Sequence, residues 1–187
     1  MRIISGEARG RTLFAPPGDQ TRPTSDKIRG SLFNILNRHV AGAEVLDLFG
    51  GTGALALEAL SRGAARAVIA DTSRQAIDAI RRNAENVLKD ELQERMLILK
   101  TDYRTAISGL DGRRFDLVFL DPPYRMLDAY ADAIARLDGR GALQEDAVIV
   151  CERRQNAEIV IPEGFEIYDT RSYGETAIDF VRRRAIE

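Results

Sequence analysis

The sequence predicts an α/β fold, an open and mostly parallel sheet with helices on both faces, and three observations carry that expectation. Short, continuous apolar runs recur from Glu44 onward, as expected for strands covered on both sides. Helical stretches lie between most of them, and strand, helix, strand in repetition is the pattern of a parallel sheet with crossover helices. Near the end, two extended segments flank Gly174-Glu175, which predicts an antiparallel hairpin at the sheet edge.

Taken in order, Arg2 to Ser5 and Arg11 to Phe14 have strand-like composition around Gly6 and Gly10, and Pro16-Pro17-Gly18 ends the second run. Thr24 or Ser25 caps a helix that carries Ile28, Leu32, Ile35 and Leu36 on one face. Gly42 stops it. The parallel strands are expected at Val45-Leu46-Asp47-Leu48, Ala67-Val68-Ile69-Ala70, Met96-Leu97-Ile98-Leu99, Leu117-Val118-Phe119-Leu120 and Val148-Ile149-Val150. Helices are expected over Ala54 to Arg62, Ser73 to Leu88 and Leu127 to Leu137. The hairpin takes Phe165 to Tyr173 and Thr176 to Arg183. Phe14 and Phe33 read as core residues.

A chain of 187 residues, 44% hydrophobic and 30% charged, fits one domain with a substantial core and excludes disorder or a fibrous repeat. No apolar run approaches the ~20 residues a membrane span needs, and the N-terminus turns polar too soon for a signal peptide, so a cytoplasmic protein is expected. One cysteine and one histidine exclude an internal disulfide and the usual four-ligand zinc site. The chemistry is left to carboxylates, backbone groups or a bound cofactor, with no metal. Net charge is −2, but residues 1–42 hold seven basic side chains against three acids, so that stretch is +4 and the rest −6. Such an asymmetry suits a polyanion as well as an ordinary solvated surface. The organisation expected is a basic ribbon-helix appendage over residues 1–42 on a core of residues 43–187, in one compact domain.

Ligands of such a sheet bind beyond the C-terminal ends of its strands. Asp47-Leu48-Phe49-Gly50-Gly51-Thr52-Gly53 follows the first strand and opens a helix, with glycines where a backbone can approach a ligand. Asp71 ends the second strand, where it reads equally as an acceptor for ribose hydroxyls or as a helix cap. Asp102 ends the third. After the fourth comes Asp121-Pro122-Pro123-Tyr124, in which two prolines fix φ and remove two donors, leaving acceptors beside an aromatic surface.

Asp47-x-Phe49-x-Gly51-x-Gly53, with Asp71, Asp102 and Asp121-Pro122-Pro123-Tyr124, resembles the Rossmann-like methyltransferases that use S-adenosylmethionine (SAM) to methylate exocyclic amines. Arg2-Ile3-Ile4-Ser5-Gly6, Arg9-Gly10-Arg11, Arg22-Pro23-Thr24-Ser25-Asp26-Lys27-Ile28-Arg29, Leu55 through Ala64 and Tyr173-Gly174-x-Thr176 are similar more closely to the RsmD family of 16S rRNA guanine-N2 methyltransferases, over essentially the whole chain. The family pattern differs modestly, with Glu usual at position 71, Ala common at 50 and Glu frequent at 30. The resemblance implies that Asp47, Phe49, Gly51, Gly53, Asp71 and Asp102 bind SAM. It implies catalysis by Asp121, Pro122, Pro123 and Tyr124, and RNA contact through Arg9, Arg11, Arg22, Thr24, Lys27 and Arg29. The implied partner is 16S rRNA or a small-subunit assembly particle, met by a monomer. An Asp at 121 favours guanine, whose adjacent N1–H and N2–H donors match an acceptor-only carboxylate. The alternatives are an adenine-N6 methyltransferase, for which the chain has little room for a DNA-reading domain, a nucleotide-dependent oxidoreductase, which leaves the proline turn without purpose, and a non-catalytic RNA-binding module.

Overall fold

A computed structural model describes residues 1–17 and 24–186. Seven strands form one sheet: β1 (Glu44–Asp47), β2 (Arg66–Asp71), β3 (Met96–Lys100), β4 (Phe115–Leu120), β5 (Leu143–Arg154), β6 (Phe165–Tyr173) and β7 (Thr176–Arg183). Their lateral order is β3-β2-β1-β4-β5-β7-β6. The first five are parallel, and β7 runs antiparallel to both β5 and β6. The helices are α1 (Asp26–Ile35), α2 (Ala54–Ser61), α3 (Arg74–Leu88), α4 (Leu92–Arg95), α5 (Tyr103–Ser108) and α6 (Ala129–Gly139).

Side-chain alternation divides the core into two layers. Val45, Ile69, Leu117, Phe119 and Val150 pack with residues of α2, α3 and the N-terminal segment. Leu46, Val68, Val118, Leu120 and Ile149 pack on the other face with Tyr103, Ile107, Ile134 and Leu137 of α5 and α6. Both faces are covered, which is why the strands read as unbroken apolar runs.

The two extended runs of the N-terminal stretch face each other: an antiparallel bridge joins Arg2 with Thr12, and the Ile3 and Leu13 N–H groups donate to the Arg11 and Met1 carbonyls at 2.9 and 2.8 Å. Ile3, Ala8, Leu13, Leu32 and Phe33 lie in the same apolar cluster as α2, so the segment is part of the core packing. Polar clamps hold it as well: Asn83 of α3 accepts from the Phe14 N–H at 2.7 Å and donates to the Phe14 and Thr52 carbonyls. Phe14 itself is 36% exposed, with the Arg82 guanidinium 4.1 Å from its ring centroid, and does not fill the core. β5 starts before the apolar run that marks it, and its register against β4 shifts between Phe115 and Leu117. The short helices α4 and α5 fall below the length at which an apolar period is visible in sequence.

Candidate active site

The order of strands reverses between β1 and β4, and a cleft of about 2060 Å³ opens over their C-terminal ends. It is lined by Asp47, Phe49, Gly51, Asp71, Asp102 and all four residues of Asp121-Pro122-Pro123-Tyr124, along with Thr24 and Glu152. Gly53 stands behind the lining. Its φ of 82° makes it the left-handed N-cap of α2, so its requirement is conformational. Gly51 also has a positive φ, 58°, and a Cβ there would meet no atom within 4 Å. The floor of the loop is therefore open to a ligand.

Asp71 holds this loop. Its Oδ2 accepts from the Gly51 N–H and its Oδ1 from the Ser73 N–H, both at 2.9 Å. The cap of α3 is Ser73, whose Oγ accepts from the Ala76 N–H. Asp102 is the acid that does cap a helix: its two oxygens accept from the Thr105 N–H at 2.9 Å and the Thr105 hydroxyl at 2.8 Å. Those bonds hold its carboxyl below the ordinary value. Each carboxylate oxygen retains a second lone pair, so neither acid is exhausted by these contacts. Phe49 packs against Tyr103 at 5.5 Å between centroids and walls the cleft.

Asp47 is 2% exposed and accepts from the Phe49 N–H at 3.1 Å. Burial, and then the nearby Asp71 and Glu152 charges, push its carboxyl up to about 7. Asp121 has no hydrogen-bond donor among the described residues. Burial, followed by the charges of Glu152 and Asp47, raises its carboxyl well above the usual range. Asp47 at the end of β1, Asp121 just past β4 and Glu152, where the pairing of β5 with β4 stops, thus stand on the same face of the sheet. Tyr124 is 51% exposed, and the Arg154 guanidinium lies 3.7 Å from its ring centroid. Among the described residues no cluster of three or more ligating side chains could hold a metal.

Glu152 was not among the residues read from sequence as functional. It stands immediately after the run Val148-Ile149-Val150-Cys151, so the end of an apolar run, the signal that singled out Asp71 and Asp102, marks it too, although β5 itself continues to Arg154. Its Oε2 accepts from the Thr24 hydroxyl at 2.9 Å, and Tyr130 donates to its main-chain carbonyl at 2.5 Å.

The basic residues separate. Arg9 and Lys27 are exposed, Arg11 is half-buried with Nη1 donating to the Asn86 carbonyl, and Thr24 turns inward to Glu152. Arg22 lies outside the described residues. Arg29 is a correction to the expected RNA surface: it is 0% exposed and no phosphate reaches it. Its guanidinium donates to Glu58 at 3.4 Å, to Asp26 at 2.9 Å, to the Thr24 carbonyl at 3.2 Å and to the Arg2 carbonyl. It joins α1, α2 and the N-terminal segment.

Strand order, the hairpin edge and a cleft over a glycine loop flanked by strand-end acids define a Rossmann-like methyltransferase. The family described as "Conserved hypothetical protein 95" matches residues 1–182. Bacillus subtilis YlbH is 35% identical over 98% of this chain and 100% of its own. The "Ribosomal RNA small subunit methyltransferase D" of Escherichia coli strain K12 is 31% identical over 99% of this chain and 91% of its own. The solved structure of E. coli YhhF superposes with a TM-score of 0.83 at 29% identity, covering 100% of this chain and 99% of that one. The chain belongs to this family, that of the RsmD methyltransferases, whose methyl donor is SAM.

Proposed function

We propose that the protein methylates the exocyclic N2 amine of a guanine in small-subunit ribosomal RNA. The observation that carries this reading is the Asp121 carboxylate, half-buried at the tip of β4 without a hydrogen-bond donor among the described residues, lining the same cleft as the open glycine loop. The names of the relatives supply the RNA, and the acceptor-only side chain favours guanine.

The cleft fits SAM: Gly51 leaves room for its amino-acid portion, Asp47 is an anion for its ammonium, Asp71 for its ribose and Asp102 for its adenine amine. When bound, SAM supplies an electrophilic methyl on a sulfonium. A base amine is a weak nucleophile because its lone pair is delocalised into the ring. Asp121 and the Pro122 carbonyl accept the amine hydrogens, which localises the lone pair and stabilises the positive charge that develops on nitrogen. With SAM bound, the N–CH₃ bond would form as the S–CH₃ bond breaks to leave a neutral thioether, and the surplus proton on nitrogen would pass to the carboxylates and on to water. Pro123 keeps the turn rigid, and Tyr124 offers its exposed ring to the extruded base. Arg9, Arg11 and Lys27 remain candidates for phosphate contact, and Thr24 lines the cleft.

Mass-spectrometric mapping of methylated guanines in ribosomal RNA from cells with and without this protein tests the reading; it predicts one N2-methylguanine that disappears. Asp121→Asn is expected to lower kcat by about 10²-fold or more, the range for removing one group aimed at transition-state charge, while SAM affinity measured by calorimetry stays unchanged. Full activity in that variant would remove Asp121 from the chemistry.

A further inference from the structure

We propose that Glu152 is a second acceptor for the target base, taking the guanine N1–H while Asp121 and the Pro122 carbonyl take the N2 amine. The inference rests on the guanine-N2 reading and assigns it a specificity residue.

The argument is the lateral order of the sheet. The glycine loop follows β1, Asp121 follows β4 and Glu152 ends the parallel part of β5. Leu120 pairs with Cys151, so Asp121 and Glu152 are the next residues along neighbouring parallel strands, roughly 5 Å apart in the sheet. Leu120 and Cys151 both pack in the layer with α5 and α6, so alternation turns Asp121 and Glu152 to the opposite face. The amine must sit between Asp121 and the cofactor loop. The remainder of a base so placed extends away from that loop, toward β5. N1 is two bonds from N2 on the same edge of guanine, and the group it meets in that direction is Glu152.

Glu152 is also built to accept. Thr24 satisfies Oε2, leaving Oε1 without a donor among the described residues, in the lining of the cleft. The Tyr130 hydroxyl on its carbonyl fixes the backbone behind it. Thr24 is itself positioned through its carbonyl, which accepts from buried Arg29. A carboxylate held this way rejects a base that presents an acceptor at N1, because two acceptors would face each other without a proton.

The test compares small-subunit particles reconstituted with rRNA that carries either guanosine or 2-aminopurine riboside at the mapped nucleotide. 2-Aminopurine keeps the amine but has no proton on N1. Wild-type protein is expected to favour guanosine by at least about tenfold in kcat/KM. Glu152→Gln, whose amide can donate to a bare N1, should erase or reverse that preference. Glu152→Asp should return part of the guanosine activity, and Glu152→Ala should lose guanosine activity without gaining 2-aminopurine. The fluorescence of 2-aminopurine, read without SAM, should show tighter capture by Glu152→Gln than by wild type. SAM affinity and melting temperature are measured alongside, so that a folding defect is seen directly. An unchanged guanosine-to-2-aminopurine ratio in a folded Glu152→Gln protein overturns the role of Glu152 alone. Wild-type protein that leaves guanosine N2 unmethylated overturns the guanine reading, and this inference with it.

Discussion

A Cβ built on Gly50 would lie 2.5 Å from Ile69 Cγ1 and 2.7 Å from its Cδ1, inside the packed layer between β1, β2 and α3. The family pattern commonly has Ala there, and the chain accommodates its Ile69 by giving up that methyl. Gly50→Ala is therefore expected to destabilise by about 1–3 kcal/mol, the cost of overpacking a filled core, and Ile69→Val in the same chain should restore part of it by removing Cδ1. Gly30 is the opposite case. A Cβ there would meet only Ile4 Cγ2, at an ordinary 3.7 Å, so nothing in the packing requires glycine within α1. Gly30→Ala should raise stability by about 0.5–1 kcal/mol through helix propensity. Thermal melts of the three variants check both signs. A Gly50→Ala protein as stable as wild type would mean that the loop shifts freely, which the Gly50 N–H to Ala70 carbonyl bond at 2.8 Å argues against.

At the scale of elements, α1 and α2 are joined through charge. Glu58 of α2 is fully buried and accepts from the main-chain N–H groups of Ile4 and Ser5 and from Arg29 and Arg62. Ser61 adds a bond from the Ala8 N–H. The basic character of the N-terminal stretch is visible in sequence, but the pairing of Arg29 with a carboxylate 29 residues away is a property of tertiary packing, and so Arg29 was misread as a surface residue. The N-cap Ser25 and the apolar stripe of α1, by contrast, are local and were legible. Removing one partner of a buried pair strands the other charge. Glu58→Gln is expected to cost about 3–5 kcal/mol and to expose the N-terminal segment to limited proteolysis, and Arg29→Met combined with Glu58→Leu should recover little of the loss, because the Ile4 and Ser5 N–H groups would then have no acceptor. Proteolysis at the wild-type rate in Glu58→Gln would show that apolar packing of Ile3 and Leu13 alone holds the segment.

Across the whole molecule, the alternation of apolar runs with helices was enough to place five parallel strands and the hairpin, and the habit of α/β sheets to bind at strand ends was enough to single out Asp47, Asp71, Asp102 and Asp121, which line one cleft. The lateral neighbours of each strand were not legible, since a crossover connection leaves no mark in the residues it joins, and with them went the Glu152–Asp121 adjacency. That adjacency gives the cleft its electrostatics: Asp47, Asp121 and Glu152 repel one another in a partly dry site, and each is raised above its ordinary value with burial as the leading cause. Asp47 illustrates the consequence for pH. Its carboxyl titrates near 7 in the folded chain and near 3.8 when unfolded, so between those values the native state carries a proton that the unfolded state lacks. Its contribution to stability is fully present below about pH 4 and is lost as pH rises through 7. A cation favours the ionised form, so SAM must displace that proton if its ammonium sits beside Asp47. Affinity for SAM is accordingly expected to rise between about pH 5.5 and 7, with proton release that calorimetry in buffers of different ionisation enthalpy will detect. Asp47→Asn should bind more weakly and lose most of this pH dependence. A wild-type affinity that is flat across the window would place the ammonium elsewhere in the cleft and leave Asp47 as a support for the Phe49 N–H alone.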